Sequence, residues 1–198
     1  KSSYETEWNS GIGCNGLTSA RHDMLQKMYA TKYPESYETD LPEEVIYIGK
    51  HTLSDIGDNN ISVGKMLLSP TRTFAPLVKQ ILDNHRLSIH GIVHNTGGGQ
   101  TKCMKYVAEK LRVVKNNLFE TPEIFKRIQQ ASNCSYHEMY QVFNMGNRLD
   151  IYTDEATAQS LIAIANSFNI EAQIIGHIED SHKKELLIQS THGEYRYT

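Results

Sequence analysis

The sequence predicts an α+β domain of layered α/β/α build, in which helices flank a mixed sheet and part of the chain runs as a split βαβ. Three observations carry this. Apolar residues recur at helical spacing in several segments, short runs rich in Ile, Val and Leu fall between them, and two strand-like runs within 149–178 are separated by a long helical pattern. The composition agrees. With 198 residues, 39% hydrophobic and 22% charged, the chain is globular and can bury a core without disulfide or metal staples.

The elements follow in order. Between Gly16 and Tyr33, Leu17, Ala20, Met24, Leu25, Met28 and Tyr29 share one face, which predicts a single amphipathic helix entered through Asn15-Gly16. Pro34 to Gly64 reads as loop, with one apolar run at Val45–Ile48; a connection this long is expected to be functional or mobile. Phe74, Leu77, Val78, Ile81 and Leu82 predict a helix that tolerates Pro76 in its first turn. Leu87–His94 reads as a strand, followed by glycines and a helix over about 101–110. Leu111–Leu118 reads as a second strand. Thr121-Pro122 predicts an N-cap followed by Pro at the first helical position. Ser135 and Glu138 form a capping-box pattern for the next helix. Leu149–Thr153 is a strand, Thr153 caps a long helix with Leu161, Ile164, Ala165 and Phe168 inward, Glu171–Ile178 is a strand, and a hairpin turns at Thr191-His192-Gly193.

Charge and cysteines narrow the function. A net charge of −3 argues against a dedicated nucleic-acid binder, which is normally basic. The longest apolar stretch, Leu161 to Ala165, is too short to span a bilayer. Cys14, Cys103 and Cys134 form no CxxC pair, so the expectation is reduced thiols in a cytoplasmic protein. Lys1 rather than Met opens the chain, and the expectation is a piece of a longer polypeptide.

The clearest chemical signal is Ile92 through Gln100, a strand running through Gly97-Gly98-Gly99 toward a helix. Glycines let the backbone approach a ligand and point N–H groups at an anion such as phosphate; Thr96 adds a hydroxyl, and His94 stands at the strand end. A turn that needs glycine only for its backbone shape is the competing reading. Arg72, after Leu68-Ser69-Pro70-Thr71, reads either as a bidentate partner for phosphate or carboxylate or as a surface ion pair. Phe143, Met145 and Gly146 read as core and a helix end, whereas Asn144 can donate and accept toward a ligand. Asn15-Gly16 reads as a cap or as a further anion contact. His22-Asp23 reads as a solvated helix face. His90 and His94 share a strand face, but no third ligand accompanies them, so no metal site is assigned. The sequence holds no GxSxG, Walker A, HExxH or dinucleotide fingerprint.

Taken together and in this order, the motifs resemble the C-terminal half of the phosphoribosylformylglycinamidine cyclo-ligase (aminoimidazole ribonucleotide synthetase) family. The family pattern S-G-x-H-S-N-G corresponds to Ser10-Gly11-Ile12-Gly13-Cys14-Asn15-Gly16, and L-x-P-T-R to Leu68–Arg72. H-I-T-G-G-G corresponds to His94–Gly99, and E-M-Y-x-x-F-N-M-G to Glu138–Gly146; Ile175-Gly176-His177-Ile178 resembles the last family strand. The likeness runs over about residues 9–178, with residues 179–198 as a terminal hairpin. Two departures stand out: the family His is Gly13 here, so no role carries over to that position, and Asn95 replaces Ile.

The resemblance implies a mixed sheet of ferredoxin-like type and an ATP-dependent ring closure that turns formylglycinamidine ribonucleotide into aminoimidazole ribonucleotide in purine biosynthesis. It implies that Thr96, Gly97, Gly98 and Gly99 hold a phosphate, with Thr71, Arg72, Asn15 and Gly16 as further substrate or phosphate contacts. His94 and Asn144 are implied as catalytic residues, His94 handling a proton and Asn144 positioning ligand or backbone. ATP and Mg²⁺ are expected mainly on an N-terminal domain whose D-G-x-G-T-K motif is absent here. That domain and a homodimer are the expected partners, and this piece alone is expected to lack turnover. Rival readings are a related ATP-dependent enzyme, such as selenophosphate synthetase, thiamine-monophosphate kinase or a hydrogenase-maturation factor, and a non-catalytic phosphate-binding domain.

Overall fold

In a computed structural model of the chain, residues 9–13, 16–57 and 60–198 are described. Helices and a mixed sheet form the expected α+β architecture. The helices are α1 (Leu17–Met24), α2 (Met28–Lys32), α3 (Val63–Leu67), α4 (Ala75–His85), α5 (Glu123–Ser132), α6 (Tyr136–Val142) and α7 (Glu155–Ser167). The strands are β1 (Ile89–His94), β2 (Leu111–Lys115), β3 (Leu149–Thr153), β4 (Gly176–Asp180), β5 (Glu185–Ser190) and β6 (Gly193–Tyr197).

The strands form two sheets. β1 and β3 pair antiparallel, and a four-stranded mixed sheet has the order β4-β2-β5-β6. The helix-separated runs at 149–178 therefore do not share a sheet. β3 joins β1, whereas β4 lies antiparallel to β2 with Lys115 opposite Gly176. Among the strands, the one parallel pair is β2 with β5. The terminal hairpin is consequently no appendage. Leu186 and Ile188 on β5 are fully buried, in the main core with Val113, Phe125, Ile128 and Tyr140. A second core packs α4 on α7 through Leu77, Ile81, Leu161 and Ala165.

Several boundaries differ from expectation for local reasons. The first helical pattern breaks at Leu25, which is extended and bridges His51. Residues 46–51 lie along Met24–Gln26 and exchange backbone hydrogen bonds with them, drawing those groups out of the helical ladder. That contact folds the long loop onto α1. It also buries His22, whose Nδ1 accepts the Tyr47 N–H at 3.2 Å, so His22 does not belong to a solvated face. The segment after the glycines is a 3-10 helix, Gly99–Lys105, and not an α-helix over 101–110. Pro122 occupies the N-cap of α5, and the Thr121 hydroxyl meets His192 Nε2 instead of capping. Asp154, not Thr153, caps α7, accepting the Thr157 N–H at 2.8 Å. Ser135 caps α6 as expected. Strand pairing of β4 starts only at Gly176.

One ion pair joins the sheets. Lys115 Nζ at the end of β2 lies 2.7 Å from Asp150 Oδ2 on β3, with the two side chains 2% and 4% exposed. The same ammonium donates to Gln100 Oε1 at 2.7 Å. Removing one member of such a pair strands a buried charge, so Lys115→Met should cost roughly 3–5 kcal/mol, read as a fall in the urea midpoint. Adding Asp150→Leu should recover part of that loss. A Lys115→Met midpoint equal to the parent's would show that the pair carries no stability.

Candidate functional site

Three of the four motifs, far apart in the chain, meet at the loop Phe143–Gly146 that follows α6, and the fourth, Leu68–Arg72, packs against residues 9–13. Phe143 ends the helix with an extended backbone, and Met145 and Gly146 take positive φ values of 52° and 103°. On one side, Gly99 (φ 49°) packs so closely that a Cβ there would stand 2.5 Å from the Phe143 carbonyl oxygen and 2.6 Å from that of Tyr140. On another, a Cβ on Gly16 would meet the Phe143 ring at 2.4 Å. The Asn144 side chain is buried and donates to the Gly11 carbonyl at 3.0 Å while accepting the Gly146 N–H at 2.9 Å. Gln100 Nε2 donates to the carbonyls of Asn144 and Asn147, at 2.6 and 2.8 Å.

Residues 9–13 lie along the Leu68–Arg72 turn. Ser10 Oγ donates to the Met66 carbonyl, Asn9 Nδ2 donates to the Pro70 carbonyl, and Gly13 comes so near Thr71 that a Cβ would stand 2.9 Å from its Oγ1. The position that holds His in the family pattern is thus filled by a glycine (φ 55°) pressed on Thr71. Asn15 falls outside the described residues. Gly16 is the N-cap of α1 in a left-handed conformation, and its contact with Phe143 explains the glycine.

The three glycines of the turn do different things. Gly99 is buried, and its N–H donates to the Thr96 carbonyl. Gly97 is exposed with nothing within 4 Å of where a Cβ would be, and Gly98 is half-buried at φ 94°. The N–H groups of Gly97 and Gly98 take no acceptor among the described residues. The open face of the turn therefore consists of Thr96, Gly97 and Gly98, while Gly99 anchors it. Asn95, which departs from the family pattern, is buried and ties the turn to β3 through Asn147.

Cations gather at that face. Lys102 Nζ reaches back to Thr96 Oγ1 at 2.6 Å. The Phe74 ring stands between His94, edge-on at 5.5 Å, and the Arg148 guanidinium at 5.8 Å. Burial, and secondarily the charge of Arg72, pull Arg148 down to about 10, so it keeps its proton at neutral pH. Burial, and then Lys102 and Arg148, hold the His94 imidazole below its ordinary value. No carboxylate among the described residues forms an ion pair with Lys102 or Arg148. A mouth with two open backbone donors, a hydroxyl and two cations, Lys102 and Arg148, that form no ion pair among the described residues fits an anion. Arg72 thus lies near Arg148, Lys102 is near both Thr96 and His94, and Asn144 ties Gly11 to Gly146. Sequence reading missed Lys102 and Arg148, since neither lies in a motif; their spacing three after Gly99 and two after Gly146 was the available signal. Among the described residues, no three His, Cys, Asp or Glu side chains are placed to hold a metal.

An α+β domain of this build is the C-terminal domain type of the AIR synthase-related proteins. The chain belongs to that family: the model described as "AIR synthase related protein, C-terminal domain" matches residues 5–189. It is 34% identical over 173 residues to a phosphoribosylformylglycinamidine cyclo-ligase of Methanocaldococcus jannaschii, covering 87% of this chain and 43% of that protein. It is 32% identical to a protein of the same name from Carboxydothermus hydrogenoformans, covering 90% and 46%. The chain spans about half the length of these curated relatives. Among solved structures it is similar to E. coli HypE, a hydrogenase maturation protein, with 12% identity, a TM-score of 0.49, and coverage of 98% and 51%.

The division of labour among the glycines is directly testable. Gly99→Ala forces a methyl group into backbone and imposes a left-handed alanine, which should cost roughly 3 kcal/mol or more. Gly97→Ala should change stability by no more than about 0.5–1 kcal/mol. Thermal or urea unfolding of the two variants checks this, and equal losses would contradict the assignment.

Proposed function

We propose that this chain is the C-terminal portion of an ATP-dependent cyclo-ligase of purine biosynthesis and supplies the phosphate-binding half of its substrate site. The observation that carries the reading is a glycine turn with open N–H groups at Gly97 and Gly98 beside Lys102 and Arg148, neither of which forms an ion pair among the described residues. The names of the relatives support the reaction class.

In this reading formylglycinamidine ribonucleotide binds with its phosphate at Thr96–Gly98. The γ-phosphoryl group of ATP passes to the amide oxygen, a ring-forming nitrogen attacks the activated carbon, and phosphate departs with that oxygen to leave aminoimidazole ribonucleotide. Such a step depends on holding two phosphorylated molecules in line and on neutralising transferring charge. The residues here serve the first need. Gly97 and Gly98 offer donors, Arg72 adds charge from the Leu68–Arg72 turn, and Asn144 keeps that turn's neighbour, Gly11, in register. His94, neutral at pH 7, can accept a proton at the mouth. A phosphate fits this donor set, whereas Mg²⁺ finds no carboxylate cluster among the described residues. By the family resemblance, Mg²⁺ and ATP are assigned to the N-terminal domain of the full-length protein, which would work as a homodimer in the cytoplasm. When bound there, Mg²⁺ neutralises charge on the transferring phosphoryl group.

Arg72→Ala in the full-length protein should weaken substrate by about tenfold to a hundredfold, the worth of a charge-assisted hydrogen bond. Steady-state assay of ATP-dependent cyclisation measures it. Unchanged KM and kcat would remove Arg72 from the site, and a full-length protein without cyclisation would defeat the enzyme reading.

A further inference from the structure

Lys115 carries a charge where the burial of its strand would ordinarily place an apolar residue. It closes β2 after the buried Val113 and Val114, and its side chain, 2% exposed, crosses to the other sheet. The ammonium has three protons and finds three acceptors. These are Asp150 Oδ2 and Gln100 Oε1, each at 2.7 Å, and the Gln100 carbonyl at 3.2 Å. A buried ion pair is weak evidence for stability, because well-packed apolar residues of similar volume often do as well or better. Asp150 illustrates this, since its Oδ1 is buried without a hydrogen bond among the described residues. What the ammonium holds in place is therefore the more telling property.

It holds both halves of the mouth. Gln100 follows Gly99 directly and is fully buried. With Oε1 accepting from Lys115, the Nε2 group is left to donate to the carbonyls of Asn144 and Asn147. The Asn147 carbonyl also takes Asn95 Nδ2 at 2.9 Å, which ties it to the residue between His94 and Thr96. Arg148 comes next in the chain, and Asp150, the other partner of Lys115, lies two residues beyond it. One ammonium thus reaches the segment that carries the open Gly97 and Gly98 amides and the segment that carries the Arg148 guanidinium. Without it, Gln100 Oε1 would be a buried acceptor lacking a donor. A side chain that turned to satisfy that oxygen would release the two carbonyls.

We propose that Lys115 is a positioning residue for the anion mouth: acting through Gln100 and Asp150, it fixes the spacing between the Gly97 and Gly98 donors and Arg148. The proposal rests on the phosphate reading of that mouth and extends it to a residue that stands outside the mouth. Donors set in advance at the spacing of an anion bind it more tightly than the same donors free to drift.

The test is calorimetric titration of the full chain with inorganic phosphate, comparing the parent with the double variant Lys115→Met/Asp150→Leu. The double substitution removes a neutral pair, so the net charge near the mouth is unchanged, and urea unfolding shows how far stability returns. Phosphate should bind about tenfold more weakly to this variant, an effect of the size that residues outside a site exert on it. The Gly97, Gly98 and Arg148 amide resonances of the unliganded variant should also leave their parental positions, a signature that a pair serving stability alone would not give. Gln100→Met breaks the relay but leaves Lys115 beside Asp150. It should reproduce the loss of affinity, and it decides the matter if the double variant does not fold. Parental phosphate affinity in either folded variant would overturn the positioning role while leaving the phosphate reading in place. A folded parent that binds no phosphate would overturn both.

Discussion

Two stretches of main chain meet at Gly99 with no room for a methyl group between them. The Phe143 and Tyr140 carbonyls stand where a side chain would begin, and the left-handed backbone that brings them there suits glycine. Everything at the mouth depends on that contact. It pins the glycine turn to the end of α6, and Gln100, next in the chain, fastens the same loop by two hydrogen bonds while receiving the Lys115 ammonium. Because Gly99 is held from below, Gly97 and Gly98 can stay open above. Gly16 and Asn144 extend the same anchoring to α1 and to residues 11–12, so the motifs are conjoined by packing rather than by direct contact with a ligand.

The electrostatic asymmetry follows from that architecture. Arg72 arrives on the turn before α4, Lys102 on the 3-10 helix after the glycines, and Arg148 just before β3, and Lys102 and Arg148 form no ion pair among the described residues. A chain of net charge −3 thereby keeps a locally cationic recess. Burial makes the recess sensitive. Arg148 is drawn down by desolvation and His94 is held neutral by its surroundings. An anion entering the recess would relieve both, since it restores solvation of a kind and offsets repulsion between the cations.

Much of this was legible in the sequence. β3 falls on Leu149–Thr153 as read, α4 accepts Pro76 in its first turn, and Ser135 caps α6. These are local features, decided by residues near one another in the chain. What periodicity missed was decided by partners far away. Leu25 keeps the apolar spacing of a helix, yet backbone groups of residues 48–51 claim its neighbourhood and break α1 from α2. His22 resembles a surface residue until Tyr47 arrives. The pairing of β3 with β1, rather than with β4, is likewise a long-range choice. At the site, the motif glycines marked the turn, but the difference between an anchoring Gly99 and an open Gly97 depends on α6, which sequence spacing alone does not position. Lys102 and Arg148 carried no pattern at all and became visible only as charges without acids.

The most direct test is a titration of the ¹⁵N-labelled chain with inorganic phosphate, following backbone amides together with the His94 ring. The account predicts that the Gly97 and Gly98 amide resonances move in a saturable way while Gly99 moves little. It also predicts that the His94 pKa, below 6.5 in the free chain, rises on saturation because the anion stabilises the imidazolium. Shifts confined to other surfaces, or a His94 titration indifferent to phosphate, would contradict it.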